Sequence, residues 1–230
     1  MFESKYSKVL TVILVIVIVA ILGLLAFLGY DWYQKYFLEN DALAFVENYE
    51  GNTQKDNNKE ENKGNDENAG NAGNVSNPIE QIESAGSSTS ASSSKKLPQY
   101  KGFDVVGTMD IPATNFHYPI LKDVTPESIE KSVAMLCGAG INQVGNTVII
   151  GHNFRNGLFF SNNKKLKNGD KIYVTDNSGN KLTYTIYNKF ETTPEDADFY
   201  TRDTQGKPEL TLSTCTDNSK ARIIIFARAD

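Results

Sequence analysis

Two cysteines and two histidines supply the only thiols and imidazoles in this 230-residue chain. Cys215 closes an alternating run, Leu210-Thr-Leu-Ser-Thr-Cys215, and Arg222 opens the next one, Arg222-Ile-Ile-Ile-Phe226. The six polar residues between them, TDNSKA, suit the connection of an antiparallel hairpin, which sets Cys215 and Arg222 close together at one end of a sheet. His152 ends a third run, Thr147-Val-Ile-Ile-Gly-His152, so its ring can reach the same rim. A thiolate is the attacking form of cysteine, and its formation is favoured beside a histidinium or a guanidinium. A histidine can protonate a departing amine and deprotonate an incoming one. Arginine stays charged, so its natural part is to hold a substrate carbonyl or oxyanion. The same three residues also admit a structural reading: a buried small cysteine, a turn histidine and a surface arginine.

The elements that would position them lie in the last 130 residues or so. From Tyr100 onward the chain breaks into short β-rich runs separated by turn signals. Strands are expected at Val105–Ile111, Tyr118–Leu121, Thr147–Gly151, Lys171–Thr175, Leu182–Phe190, Leu210–Thr214 and Arg222–Ala229. Asp176-Asn-Ser-Gly-Asn180 reads as a hairpin turn. Thr125-Pro126 reads as an N-cap followed by proline at the first helical position, opening a helix to about Leu136. A shorter helix is expected over Phe160–Leu166 and a turn near Glu195–Tyr200. Seven or eight strands with brief helices argue for a mainly β domain, a closed barrel-like one and not a βαβ fold.

Upstream, composition changes twice. From Val9 to Gly29, 21 residues carry no charge, enough helix to cross a bilayer core. A cleaved signal peptide would carry a shorter apolar stretch and a small-residue cleavage site, whereas Tyr30-Asp-Trp-Tyr33 follows here. Lys5 and Lys8 precede the span, while Asp31, Glu39, Asp41, Glu47 and Glu50 follow it with only Lys35 among them. The positive-inside tendency puts the N-terminus in the cytoplasm and the rest outside. Trp32, Tyr33 and Tyr36 suit the outer interface, or local packing in a short juxtamembrane helix. Residues 51–99, rich in Asn, Gly, Ser, Lys and Glu, have little apolar surface to offset ordering entropy and are expected to be disordered. The predicted organisation is therefore residues 1–8 cytoplasmic, 9–29 a membrane anchor, 30–50 juxtamembrane, 51–99 a linker and 100–230 the folded domain.

Charge excludes some functions. The formal net charge is -5, and residues 101–230 carry 15 basic and 15 acidic groups, so there is no basic footprint for nucleic acid. Two cysteines and two scattered histidines support neither a disulfide scaffold nor a zinc site.

The run Thr211-Leu-Ser-Thr-Cys215 resembles the TLxTC motif of sortases, membrane-anchored cysteine transpeptidases of Gram-positive bacteria. His152 in IIGHN and Arg222 shortly after the cysteine stand in the family's order, and the IPATNFHYPIL segment is similar to the family's opening strands. The resemblance covers residues 104–229. It implies that His152, Cys215 and Arg222 are the catalytic residues and that no metal or organic cofactor is required. It also implies attack on a threonine carbonyl in an LPxTG-like sorting signal of a surface protein. The thioacyl enzyme would be resolved by an amine on a peptidoglycan precursor such as lipid II. TLSTC and GHN look like class B, yet the short Glu191–Glu209 segment is more like classes A and D, and by family analogy forms a wall of the substrate groove. The chain's end at Asp230, with no second membrane segment, is read against a pilus-polymerising type.

Other residues compete for attention. His117, between Phe116 and Tyr118, is expected at a rim or surface. Cys137, at the end of the predicted helix, is expected to be a buried small residue; a Cys137–Cys215 disulfide would consume the nucleophile. Glu195, Asp196 and Asp198 suit a solvated loop, with calcium binding as the alternative. The rival functions are another extracytoplasmic cysteine peptidase, or a sortase-like barrel that binds without cutting.

Overall fold

The computed structural model describes residues 3–61 and 96–230. Helix α1 (Glu3–Glu61) is one continuous rod. It is long and apolar enough to cross a membrane, and its large apolar side chains from Val9 to Leu28 are exposed. The helix passes the expected limit of the juxtamembrane segment at residue 50 and continues through Glu61. The remainder of the expected linker, residues 62–95, lies outside the described residues.

Nine strands follow: β1 (Gln99–Tyr100), β2 (Phe103–Ile111), β3 (Phe116–Leu121), β4 (Val133–Gly138), β5 (Gly145–Ile150), β6 (Lys171–Asp176), β7 (Lys181–Thr192), β8 (Pro208–Cys215) and β9 (Arg222–Ala229). Their order is β1-β2-β3-β4-β5-β8-β9-β7-β6, and β6 pairs back onto β2. Strands β2 to β9 thus close an eight-stranded barrel, and closure removes the exposed edges that an open sheet would leave; β1 is a short addition at β2. The alternation read in the sequence turns Val105, Met109, Ile120, Leu121, Ile149, Ile172, Val174, Tyr184, Leu210, Leu212, Ile223 and Ile225 into one buried core.

Two expectations are corrected here. Thr125 caps helix α2 (Pro126–Ile129) with a full capping box, its side chain accepting from the Ser128 N–H while Ser128 returns the bond. The helix stops at Ile129, not near Leu136. Ser132 donates to the Pro119 carbonyl at 2.6 Å and Val133 enters β4, parallel to β3 and antiparallel to β5. Burial of Val133 and Ala134, both fully inaccessible, and the ladder bonds on both edges outweigh the helix propensity of a short segment. Cys137 consequently sits on a strand and is exposed, not buried at a helix end. The Asp176–Asn180 turn forms as read, with Asp176 Oδ1 accepting from the N–H groups of Ser178 and Asn180. The short Phe160–Lys165 and Asp198–Thr201 segments are 3₁₀ turns.

Candidate active site

Strand β8 runs parallel to β5, pairing Gly145 with Pro208 and Ile150 with Ser213. Two residues beyond the last pair on each strand come His152 and Cys215, so constant register carries both to the same end of the barrel. On the other side β8 pairs with β9, and the last cross-strand pair is Cys215 with Arg222. The turn between them is closed by Thr216 N–H to Ala221 O at 2.9 Å. Arg222 is also opposite Thr192, the last residue of β7. The three sequence-selected residues therefore converge on one rim.

Side chains add detail that spacing does not carry. The Arg222 guanidinium donates from Nη1 directly to Cys215 Sγ. Cys215 is half-buried between the buried Thr214 and Thr216, so the sulfur remains reachable. The guanidinium has five N–H donors, so the contact with the sulfur leaves others for an oxygen nearby. The His152 ring makes no hydrogen bond to Cys215. Its Nε2 lies 3.3 Å from Glu130 Oε1, and its face leans on Phe154 with centroids 4.9 Å apart. Gly151, before it, passes where a Cβ would stand 2.7 Å from Val133 Cγ1 and 2.9 Å from Phe160 Cδ2, too close unless those side chains shift.

Residues that sequence reasoning missed hold the rim together. Asn153 Nδ2 donates to the Cys215 carbonyl at 3.0 Å and to Asp217 Oδ1 at 3.0 Å. Lys164 is paired with Asp217 at 2.5 Å, and these contacts hold the Asp217 carboxyl below its usual range, Lys164 first and Asn153 second. The segment from Thr193 to Lys207, inside the expected substrate wall, is latched from behind. Glu209 on β8 is fully inaccessible. Its carboxylate accepts from Arg202 Nε and Nη2 at 2.9 and 2.6 Å, from Arg228 Nε at 2.6 Å and from Tyr187 OH at 2.8 Å. Burial alone would raise the Glu209 pKa, but the bonds from Arg228, Tyr187 and Arg202 together hold it below the ordinary glutamate value. Asn146 Nδ2 reaches the carbonyls of Phe199 and Tyr200, fixing the 3₁₀ turn over β5. A lone glutamate in the otherwise apolar and hydroxylic run Glu209–Cys215 was the available signal.

The other candidates separate from the rim chemistry. His117 is paired with Asp110 at 3.2 Å and lies against α1, where it lines a small cleft with Tyr36, Glu39, Asn40, Leu43, Asn115 and Tyr118. Cys137 and Cys215 are both free thiols. Asp196 is occupied by the Thr192 hydroxyl and the Asp198 N–H. Among the described residues, no three His, Cys, Asp or Glu side chains converge as metal ligands would.

A closed barrel with a strand-end cysteine, an arginine across the next strand and a histidine on the parallel neighbour brings together the residue types that a cysteine-dependent acyl-transfer class of protein would use. Comparison with known proteins gives that class its family: the sortase-domain family model matches residues 109–230, and the chain belongs to the sortase family. It is 34% identical over 124 residues to Sortase A of Bacillus anthracis, covering 52% of this chain and 58% of that protein. It is 31% identical over 133 residues to Sortase A of Streptococcus agalactiae, covering 55% of this chain and 53% of that one. The chain thus spans little more than half the length of the curated relatives it matches. Among solved structures, Sortase A from Corynebacterium diphtheriae superposes with TM-score 0.51 at 27% identity over 56% of this chain and 61% of that one. A Clostridium perfringens Sortase D5 transpeptidase does so with TM-score 0.51 at 29% identity, over 55% and 79% of the two chains. Sortases are in general cysteine transpeptidases.

Proposed function

We propose that this chain is a membrane-anchored sortase that uses Cys215, His152 and Arg222 to move surface proteins from their sorting signals onto a cell-wall amine. The observation that carries the reading is the Cys215–Arg222 cross-strand pair, with His152 at the same level of the neighbouring parallel strand. The Cys215 thiolate attacks the threonine carbonyl carbon of an LPxTG-like signal. Arg222 steadies the oxyanion, and the C–N bond breaks as His152 gives its proton to the departing amine. The thioester left on Cys215 is then attacked by the amine of a peptidoglycan precursor, which surrenders a proton to His152. The new amide forms as the thiolate leaves. Exposed apolar side chains from Val9 to Leu28 support an anchor, and the flanking charges support an external barrel.

The test uses the full chain in lipid nanodiscs with a panel of LPxTG-like and NPxTN-like peptides, followed by intact mass spectrometry. The expected result is an acyl adduct on Cys215, discharged by an added amine and absent in Cys215→Ala. Absence of both adduct and cleavage across the panel would overturn the reading in favour of a barrel that binds without cutting.

A further inference from the structure

The stretch of α1 beyond the span is not a free stalk. Leu38, Ala42, Phe45, Val46 and Tyr49 form one helical stripe, and Ala42, Val46 and Tyr49 are buried against the barrel, with Leu38 and Phe45 packed on its core. Polar contacts fix the position along the stripe. Asp41 pairs with Lys101 at 2.6 Å, and Tyr49 OH donates to Asn177 Oδ1. The Glu50 carboxylate accepts from Thr108 at 3.2 Å, Thr175 at 2.9 Å and Lys181 at 3.2 Å.

The direction of the helix along the barrel follows from these partners. Strand polarity puts the end of β7, the ends of β5 and β8, the start of β9 and the β2–β3 hairpin at the Cys215 end. The same polarity puts the β6–β7 turn and the β4–β5 turn at the opposite end. Tyr36, Glu39, Asn40 and Leu43 face Asn115, His117 and Tyr118, beside the β2–β3 hairpin. A Cβ on Gly157, in the loop that follows His152, would stand 2.8 Å from Lys35 Nζ. Tyr49 and Glu50 meet Asn177 and Lys181 at the far end. The helix therefore descends the barrel from its catalytic rim to its opposite pole as it leaves the membrane. Lys35 lies six residues past Gly29, about 9 Å of helix, whereas Glu50 lies roughly 30 Å past it.

We propose that residues 35–50 are a rigid mount that holds the barrel with its Cys215 rim turned towards the membrane surface. The rim then meets reactants tethered in or on the lipid, and the linker after the helix is not the spacer that sets its height. This rests on Val9–Gly29 being the span and is independent of the catalytic assignment.

The test uses the full chain reconstituted in liposomes. A zero-length carbodiimide joins carboxylates to amines only where they touch. Peptide mapping is expected to find Glu50–Lys181 and Asp41–Lys101 cross-links alongside Lys171–Asp230, a pair internal to the barrel. The internal link forming while both helix links are missing would overturn the mount. Height is read by energy transfer from a fluorophore to acceptor-labelled lipid headgroups, in a Cys137→Ser, Cys215→Ala background. Asn156→Cys, in the loop after His152, is expected to transfer at least twofold more efficiently than Val144→Cys, at the exposed tip of the β4–β5 turn. Equal or reversed transfer would overturn the orientation. Glu50→Lys is expected to shrink the difference and Glu50→Lys with Lys181→Glu to restore it. A chain without transpeptidase activity would leave both readouts unchanged, so failure here is separable from failure of the catalytic reading.

Discussion

At the scale of single residues, the rim divides into groups that would touch substrate and groups that hold those in place. Arg222→Lys keeps the charge and loses the planar fork that can serve sulfur and oxygen together. We expect it to lower kcat for peptide cleavage about 10²-fold to 10³-fold, the range for removal of an oxyanion donor, with folding unchanged by circular dichroism. Asn153 is a positioning residue, because it binds the Cys215 carbonyl and not the sulfur. Asn153→Ala should lower kcat with little change in KM and cost about 1 kcal/mol of stability in urea unfolding. A change in KM alone would argue against that role. Cys137 is the exposed thiol by which topology can be read. In a Cys215→Ala background, a membrane-impermeant maleimide added to intact cells is expected to label it. Partial desolvation on the strand holds the Cys137 pKa above the ordinary thiol value, so labelling should still be accelerating with pH where a free thiol has levelled off.

At the scale of elements, two devices aim the rim: a glycine pass and a buried carboxylate latch. Gly151→Ala drives a methyl into Val133 and Phe160 just before His152. We expect loss of about 1–3 kcal/mol of stability from overpacking, together with a fall in activity out of proportion to the unfolded fraction. Glu209→Gln leaves the Arg202 and Arg228 charges without their counterion, at a cost of about 3 kcal/mol. The Glu209 pKa is depressed in the fold, so its stabilisation is present above the ordinary glutamate value near 4.5 and is lost as pH falls through the lower folded value. Denaturant midpoints of the parent chain and the Gln variant should therefore converge in acid below that pH. A constant gap from pH 7 to pH 3 would show that the latch acts by packing and not by charge.

At the scale of the whole molecule, the N-terminal helix and the barrel are one packed object. The helix stripe from Leu38 to Tyr49 covers Tyr100 and Tyr118, both nearly inaccessible. Val46→Asp places a charge in that interface. It is expected to release the helix, seen as new protease cleavage between residues 36 and 53 in lipid, with the barrel itself intact. The stripe was visible in the sequence as apolar residues at positions 38, 42, 45, 46 and 49. It passed as a juxtamembrane segment because periodicity shows that a helix has a face without showing what covers it.

The sequence by itself determined whatever depends on neighbours along the chain. Alternation gave the strands that frame Cys215, His152 and Arg222, the Thr125-Pro126 pair started α2, and Asp176–Asn180 made its turn, because register, capping and turn geometry act over a few residues. The convergence of the three rim residues was equally legible, since a hairpin sets Cys215 against Arg222 and strand ends were read for all three. Only the tertiary structure decided the rest. Val133–Gly138 became a strand because the barrel needed a member between β3 and β5, a demand that overrides a four-residue helix nucleus. Glu130 beside His152, Asn153 on the Cys215 carbonyl, Arg202 and Arg228 on Glu209, and Glu50 on Lys181 are contacts between residues 7 to 131 positions apart. Such pairs form when closure of the barrel brings distant segments together, and no local pattern in the chain records which donor will meet which acceptor.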